Sequence, residues 1–356
     1  MTKRLPPRIG KVKKEENVLL VDGNALYKRG FMGARSEYSH DGKAIGGIYQ
    51  FLTVLRKLLE ENLYHKVFVF WDGPFSGRLR WNFYKDYKSN RGKDYINGTV
   101  PEDPQEIIQQ GIVFNYLEEL FIRQLRDKEV ESDDFIAYYC RIKKPNTKVT
   151  IVTSDRDLCQ LIDEDVRIYM LDLKQYITKY NYNIYFKPHL ENSVLIKQIC
   201  GDSSDNIVGI KRVGEPSLLK HFPELAQRKV TLEEIIDKAK VLQEERLTKK
   251  MKPLQIYTNL VNSITDGIQG KDIYKINKRL VDLTIPLLTE ESIKNVNDLI
   301  DSPLSDDRTI KSVYQMLKND GIDKKMGEDR FTNYLIPFKK LMEREKKNIN
   351  TNIIYE

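Results

Sequence analysis

The chain of 356 residues is poor in cysteine and histidine and has no long apolar run. Its three cysteines, Cys140, Cys159 and Cys200, are odd in number and show no C-x-x-C spacing. That argues against a disulfide framework and against a thiolate zinc site. Four scattered histidines argue equally against a histidine-based metal centre. No apolar stretch approaches the roughly 18 residues that a membrane-crossing helix needs. The segment Asn17-Val18-Leu19-Leu20-Val21 is too short for the apolar core of a secretion signal, and Asp22 interrupts it. The expected setting is a reducing cytoplasm, with no membrane contact and the chain as a monomer. A uniform positive coat is lacking too. The formal charge of +7 is concentrated in residues 1–14, where six bases and no acid leave the remaining chain at only +1. Any nucleic-acid surface must therefore come from local clustering.

What is present is an alternating pattern. Residues 1–16 read as a flexible basic tail. Val18–Val21 reads as a strand ending in Asp22-Gly23, and 45–63 as a helix with Ile48, Phe51, Leu52, Leu55, Leu58 and Leu59 at three-to-four spacing. Further strands follow at Val67–Trp71, ending in Asp72-Gly73-Pro74, at Val149–Thr153, ending in Ser154-Asp155, and at Val166–Leu171. Short apolar strands separated by helices predict an α/β fold with a central, mostly parallel sheet flanked by helices. Such sheets bind ligands at the carboxyl ends of their strands, where these aspartates stand. The stretch 74–112 breaks the pattern, residues 190–222 read as short helices around a tight glycine turn, and the chain from about 230 onward is helical. The expected divisions are 17–205, 206–300 and 301–356.

Nine acids form five clusters along the chain. They are Asp22, Asp72, the group Glu131, Asp133 and Asp134, the pair Asp155 and Asp157, and the pair Asp202 and Asp205. Each has a plain structural reading. Asp-Gly after a strand suits a turn, Ser154-x-x-Asp157 suits a capping box opening a helix over 156–162, and Ser132 suits a helix cap followed by dipole-matched acids. Asp202 and Asp205 could merely share a helix face. Caps and turns do not require acids after every central strand, however. Brought together, nine carboxylates would repel one another unless cations neutralise them. An all-oxygen donor set suits Mg²⁺, with Mn²⁺ as a substitute. Two such ions can drive in-line phosphate displacement.

The motifs Val-Asp22-Gly, Phe-Trp-Asp72-Gly, Glu131-x-Asp133-Asp134, Thr-Ser-Asp155-x-Asp157 and Gly-Asp202-x-Ser-Asp205-Asn-Ile-x-Gly carry a resemblance. In this order and spacing, over about residues 17–220, the chain resembles the flap endonuclease/5′–3′ exonuclease family. Tyr87-Lys88-Ser-Asn-Arg91-Gly-Lys93 and the long helical C-terminal part are most similar to its ribonuclease H branch from T-even phages. The resemblance implies a PIN-like 5′ nuclease fold with a helical arch. It also implies removal of RNA primers and adjacent DNA from lagging-strand fragments. By resemblance, Asp22, Asp72, Glu131 and Asp133 hold a first metal, Asp155, Asp157, Asp202 and Asp205 surround a second, and Asp134 acts through water. It further implies that Lys88 and Arg91 polarise the scissile phosphate and that Tyr87 stacks on the terminal base.

Residues 78–93 bring Arg78, Arg80, Lys85, Lys88, Arg91 and Lys93 together with interleaved Trp81, Phe83, Tyr84 and Tyr87. This composition predicts a surface that tracks a backbone and stacks bases. The competing reading is an amphipathic helix that buries its rings. Gly46-Gly47 either offers backbone N–H groups to a phosphate or makes a tight turn. Gly209-Ile-Lys211-Arg212-Val-Gly214 resembles a helix-hairpin-helix turn that contacts duplex phosphates. The family usually has a glycine at the Arg212 position, which bears on the hairpin's geometry and on any monovalent ion held there. Residues 321–348, with a net +3, read as a solvated helix face or a contact for duplex or single-stranded-DNA-binding protein.

The expected function is a metal-dependent 5′ nuclease acting on DNA or RNA–DNA hybrid at a 5′ end, nick or flap. Two alternatives stand beside it: a PIN-like ribonuclease of single-stranded RNA, and a non-catalytic junction-binding protein.

Overall fold

The strands expected at 18–21, 67–71, 149–153 and 166–171 form there, because each is rich in β-branched, aromatic and aliphatic residues, with Arg167 the charged exception in the last. The computed structural model of the chain describes residues 15–91, 103–266, 272–302, 307–326 and 328–352. Strands β1 (Glu16–Asp22), β2 (Lys66–Trp71), β3 (Arg123–Arg126), β4 (Thr147–Thr153), β5 (Val166–Met170) and β6 (Gln175–Ile177) make one sheet. Its order is β3-β2-β1-β4-β5-β6, parallel throughout except that β6 returns antiparallel to β5. In register, Val21 of β1 faces Val69 and Val152, so Asp22, Asp72 and Asp155 stand at one edge of the sheet.

Alternation along β1 builds two cores. Leu19 and Val21 face helices α1 (Gly23–Gly33) and α2 (Gly46–Glu61), while Val18 and Leu20 face the opposite side. A short turn α3 (Arg78–Trp81), the helix α4 (Pro104–Glu119) and α5 (Ser132–Ile142) complete the layers, α4 on the first side and α5 on the second. The expected helix over 45–63 is α2. Gly23 makes no turn. It opens α1, and a Cβ there would lie 2.6 Å from the Trp71 ring, so the Asp-Gly pair reflects close helix–strand packing.

Several boundaries differ from the sequence reading. The segment after β4 is a 3₁₀ turn, Arg156–Leu161, and Asp155, not Ser154, caps it by accepting from the Asp157 N–H at 2.7 Å. Helix α5 has Glu131 at its cap position, and Ser132 is its first helical residue. Strand β3 has no sequence signature, since Arg-Gln-Leu-Arg is polar. It forms because β2 offers a free edge.

Beyond the sheet, α6 (Ser193–Cys200) leads into a two-stranded ladder of β7 (Gly201–Asp202) and β8 (Ile207–Val208), then α7 (Glu215–His221). Gly209 sits where a Cβ would meet the Cys200 carbonyl at 2.0 Å. Helices α8 (Leu232–Thr248), α9 (Gln255–Asn262) and α10 (Asp272–Val281) pack with α6 and α7 into a third core. After α11 (Glu290–Asp301), helices α12 (Ile310–Asn319) and α13 (Ile336–Asn352) return to the first core. Val313, Leu317, Phe331, Leu335, Phe338 and Leu341 share it with α2 and α4. One apolar core thus crosses the division expected near residue 300.

Candidate active site

The carboxyl edge of the sheet opens into a cleft of about 520 Å³. Eight of the nine singled-out acids line it: Asp22, Asp72, Glu131, Asp133, Asp155, Asp157, Asp202 and Asp205. Hydroxyl and backbone donors fix the inner ones. Thr153 Oγ1 donates to Asp22 at 2.9 Å, and the Ser132 N–H donates to Asp72 at 2.8 Å. Asp22 also caps α1 through the Ala25 N–H at 3.0 Å.

Asp134 is a correction. It does not reach the cleft but lies 1% exposed beneath it, paired with Arg80 at 2.6 Å and accepting the Leu287 N–H at 2.8 Å. Arg80 is corrected with it. Expected on a nucleic-acid surface, it is 5% exposed, bonds Asp134 and Glu131, and donates to the Leu280 carbonyl at 3.0 Å. It is an internal counter-ion.

The other acids divide by partner. Glu131 receives Arg80, the Lys88 ammonium and the Tyr87 hydroxyl. Burial would raise its carboxyl, but Arg80 and Lys88 outweigh that and hold it at about 2. Asp205 pairs with Arg91 at 2.7 Å and lies 4.0 Å from Lys88. Asp157 and Asp202 share Lys197, which stands 2.5 Å from each. Burial and Asp155 leave Asp157 up at about 6, whereas Lys197 overcomes burial at Asp202 and brings it to about 2. Lys197 was not singled out from the sequence. Nor were Lys28 and Arg29 of α1, which also line the cleft. A lysine five residues before Asp202 gives no sequence signal until the chain reversal at Gly201 folds one onto the other.

Asp22, Asp72, Asp133 and Asp155 have no ion pair with a side-chain cation among the described residues. Burial, then the charges of Asp72 and Asp155, pushes Asp22 up to about 7. Burial and four neighbouring carboxylates raise Asp133 well above the usual range. Hard oxygen donors crowded together without a side-chain cation, as Asp22 and Asp133 are here, fit a divalent ion. Among the described residues, no group of three acids is already drawn together as a finished ligand set. A cation would draw them together.

The basic stretch is split by depth. Lys88 is 8% exposed, with its backbone in the left-handed region (φ 54°) and its N–H on the Asp205 carbonyl at 2.8 Å. Asn206 ties the same segment down through the Asp86 carbonyl and Ser89 Oγ, each at 2.8 Å. Tyr84 and Tyr87 are buried against Ile207 and Leu280, with Trp81 packed on them, so three of the four rings point inward. Tyr87 therefore does not offer its ring to a base, because its phenol is engaged by Glu131 and Asp205. Phe83 is 47% exposed, with Arg279 over its ring. Arg78 pairs with Glu129 at the surface, Lys85 is exposed, and Lys93 lies outside the described residues, as does the tail 1–14.

Gly46 and Gly47 are buried, and the Gly47 N–H donates to Gln109 at 2.8 Å, so neither is open to a phosphate. In the hairpin, Arg212 adopts the left-handed φ of 61° that a glycine would take freely. The Lys211 N–H meets the Ile264 carbonyl at 2.8 Å and the Gly214 N–H meets Ser217 Oγ at 3.1 Å. What the turn offers outward is the side chains of Lys211, which pairs with Asp266, and Arg212.

The sequence that lays these acids along the cleft is similar to those of known proteins. A family profile described as 5′–3′ exonuclease, N-terminal resolvase-like domain, matches residues 17–188. The 5′–3′ exonuclease of Mycoplasmopsis pulmonis is 30% identical over 216 residues, covering 60% of this chain and 69% of that protein. The chain belongs to the 5′–3′ exonuclease family. As a member it is a nuclease, a phosphodiester hydrolase. It is also 29% identical over 238 residues to the thermostable DNA polymerase I of Thermus thermophilus, but spans only 27% of that protein and 66% of itself. Among solved structures, the phage T5 5′-exonuclease with bound zinc matches with a TM-score of 0.60 at 18% identity, covering 80% of this chain and 99% of that one. A second structure of the T5 protein, a flap endonuclease variant in complex with DNA and metal ions, matches with a TM-score of 0.54 at 19% identity, covering 85% and 100%. These likenesses establish the fold expected from the sequence.

Proposed function

We propose that the chain is a structure-specific 5′ nuclease that hydrolyses phosphodiesters near the 5′ end of RNA or DNA annealed to a template. Its biological role would be removal of RNA primers and adjacent DNA during lagging-strand replication. The observation that carries this reading is the group Asp22, Asp72, Asp133 and Asp155: acids at one cleft with no side-chain counter-ion, flanked by acids that have one. In this reading Asp22, Asp72, Glu131 and Asp133 hold one Mg²⁺ or Mn²⁺, and Asp155, Asp157, Asp202 and Asp205 hold a second. When bound, the two ions supply an activated water and stabilise the entering and leaving oxygens. Lys88 and Arg91 answer the charge that develops on the phosphoryl oxygens. Lys88 does so from a segment fastened to the Asp205–Asn206 loop, so its ammonium works from a fixed point. Water adds to phosphorus, the P–O3′ bond breaks, and the retained strand keeps a 5′-phosphate. Specificity follows junction shape, because cations and hairpin meet backbone and not base edges. The metal ions and DNA bound by the T5 relative support the reading.

The test is a gel of a 5′-labelled flap, a nicked hybrid and a single strand, with Mg²⁺ or with chelator. Short 5′ products from flap and nick, in Mg²⁺ alone, are expected. Equal cleavage in excess chelator, or full activity in Asp155→Asn/Asp157→Asn, would sink the two-metal assignment. Preference for single-stranded RNA would favour the ribonuclease alternative, and binding without cleavage the junction-binding one.

A further inference from the structure

Lys197 lies in the last turn of α6. The helix ends at Cys200, and Gly201, at φ 70°, turns the chain back so that Asp202 falls onto the preceding turn. A Cβ at Gly201 would stand 2.3 Å from the Ile207 carbonyl, so the reversal is built into the backbone. It leaves the ammonium between two carboxylates from different elements. Both oxygens of Asp157 face it, at 2.5 and 2.6 Å, and Asp202 Oδ2 at 2.5 Å. The other oxygen of Asp202 takes the Ser204 N–H at 2.9 Å and its hydroxyl at 2.6 Å. Every oxygen of the two acids thus already has a donor. On the other side of the cleft, Asp22 and Asp72 accept only hydroxyl and backbone hydrogen bonds among the described residues.

We infer that Lys197 is a built-in counter-ion of the second cation position, which offsets half of the paired charge of Asp157 and Asp202 in the ion-free protein and yields its place when a divalent ion arrives. The inference rests on the two-cation reading above. It makes the two positions unequal. The first ion meets Asp22, Asp72 and Asp133, which repel one another without an ion pair among the described residues while Glu131 beside them keeps Arg80 and Lys88, so its binding relieves strain. The second must displace an ammonium that already satisfies its ligands, and Lys197 sets how tightly that ion is held. A flexible four-carbon stem on a fixed helix suits a charge that has to step aside.

The experiment is a Mn²⁺ titration of the full chain, with free Mn²⁺ followed by electron paramagnetic resonance. The wild type should show a tighter and a weaker binding step. Lys197→Met should tighten the weaker step at least about tenfold, since a unit charge a few ångströms away is removed, and leave the tighter one within about twofold. Lys197→Arg, which keeps the charge, should behave as wild type, and adding Asp202→Asn to Lys197→Met should abolish the gain. Should Lys197→Met fail to fold without divalent ions, Lys197→Gln removes the charge while keeping a donor. A weaker step that is unchanged or weakened in both neutral variants overturns the inference. Absence of any Mn²⁺ binding in wild type and variants alike overturns the two-cation reading itself.

Discussion

Asp22 is held by Thr153, Ala25 and Ser132 in a place where its charge is unwelcome. Its carboxyl titrates at about 7 and that of Asp157 at about 6, both above the unfolded value near 4, and Asp133 is raised as well. Between these limits the folded ion-free chain binds more protons than the unfolded chain, so its stability falls as pH rises through that window. A tenfold difference in a carboxyl's proton affinity between the two states corresponds to about 1.4 kcal/mol. Glu131 and Asp202, both held at about 2, act the other way, contributing stability above roughly pH 4 to 5 that is lost as pH drops toward 2. In chelator, the melting temperature should therefore decline from about pH 5 to about pH 8. Asp22→Asn should flatten the decline and raise the value at pH 8 while abolishing cleavage. A profile that is flat for the wild type refutes this account.

The element that most separates composition from placement is α3. Arg80 and Arg78 sit two residues apart in one basic run, yet Arg78 is at the surface on Glu129 while Arg80 is sealed beneath the cleft with Asp134. Arg80→Ala would leave Asp134 as a bare buried charge and should cost about 3–5 kcal/mol. Chemical denaturation checks that. A loss that appears only in nucleic-acid affinity, with stability intact, would return Arg80 to the substrate surface. The same contrast explains what could be read in advance. Strands β1 and β2 were legible because burial on both faces demands unbroken apolar runs, β4 and β5 because β-branched and aliphatic residues dominate them, and the aspartates after β1, β2 and β4 followed from topology. Depth was not legible: Tyr87, Arg80 and Asp134 look like surface and site residues by type, and only their contacts with Ile207, Leu280 and the Leu287 N–H remove them. Lys197, β3 and the Asp155 cap depend on pairings between distant segments or on cap geometry, which no local pattern encodes.

At the scale of the whole molecule, helices from residue 310 onward close the core that β1 opens, and the buried Arg123–Glu345 pair at 2.9 Å fastens the last helix to the sheet edge. The cleft thus stands on a braced floor, and its charge balance can be read from its described walls. Among the described residues, eight acids stand against Lys28, Arg29, Lys88, Arg91 and Lys197, a deficit of three once Arg80 is set against Asp134 beneath the cleft. A nucleic-acid backbone entering the ion-free cleft meets net repulsion, whereas two divalent ions turn the deficit into an excess of one. A nuclease-resistant flap should bind more tightly in Ca²⁺ than in chelator, by fluorescence anisotropy at fixed ionic strength. Equal affinities would refute the balance. Because binding free energies are reciprocal, a strand that the ions recruit also retains the ions. The idle molecule would then be a poor chelator and a poor polyanion receptor at once, and would become competent only when strand and ions are present together.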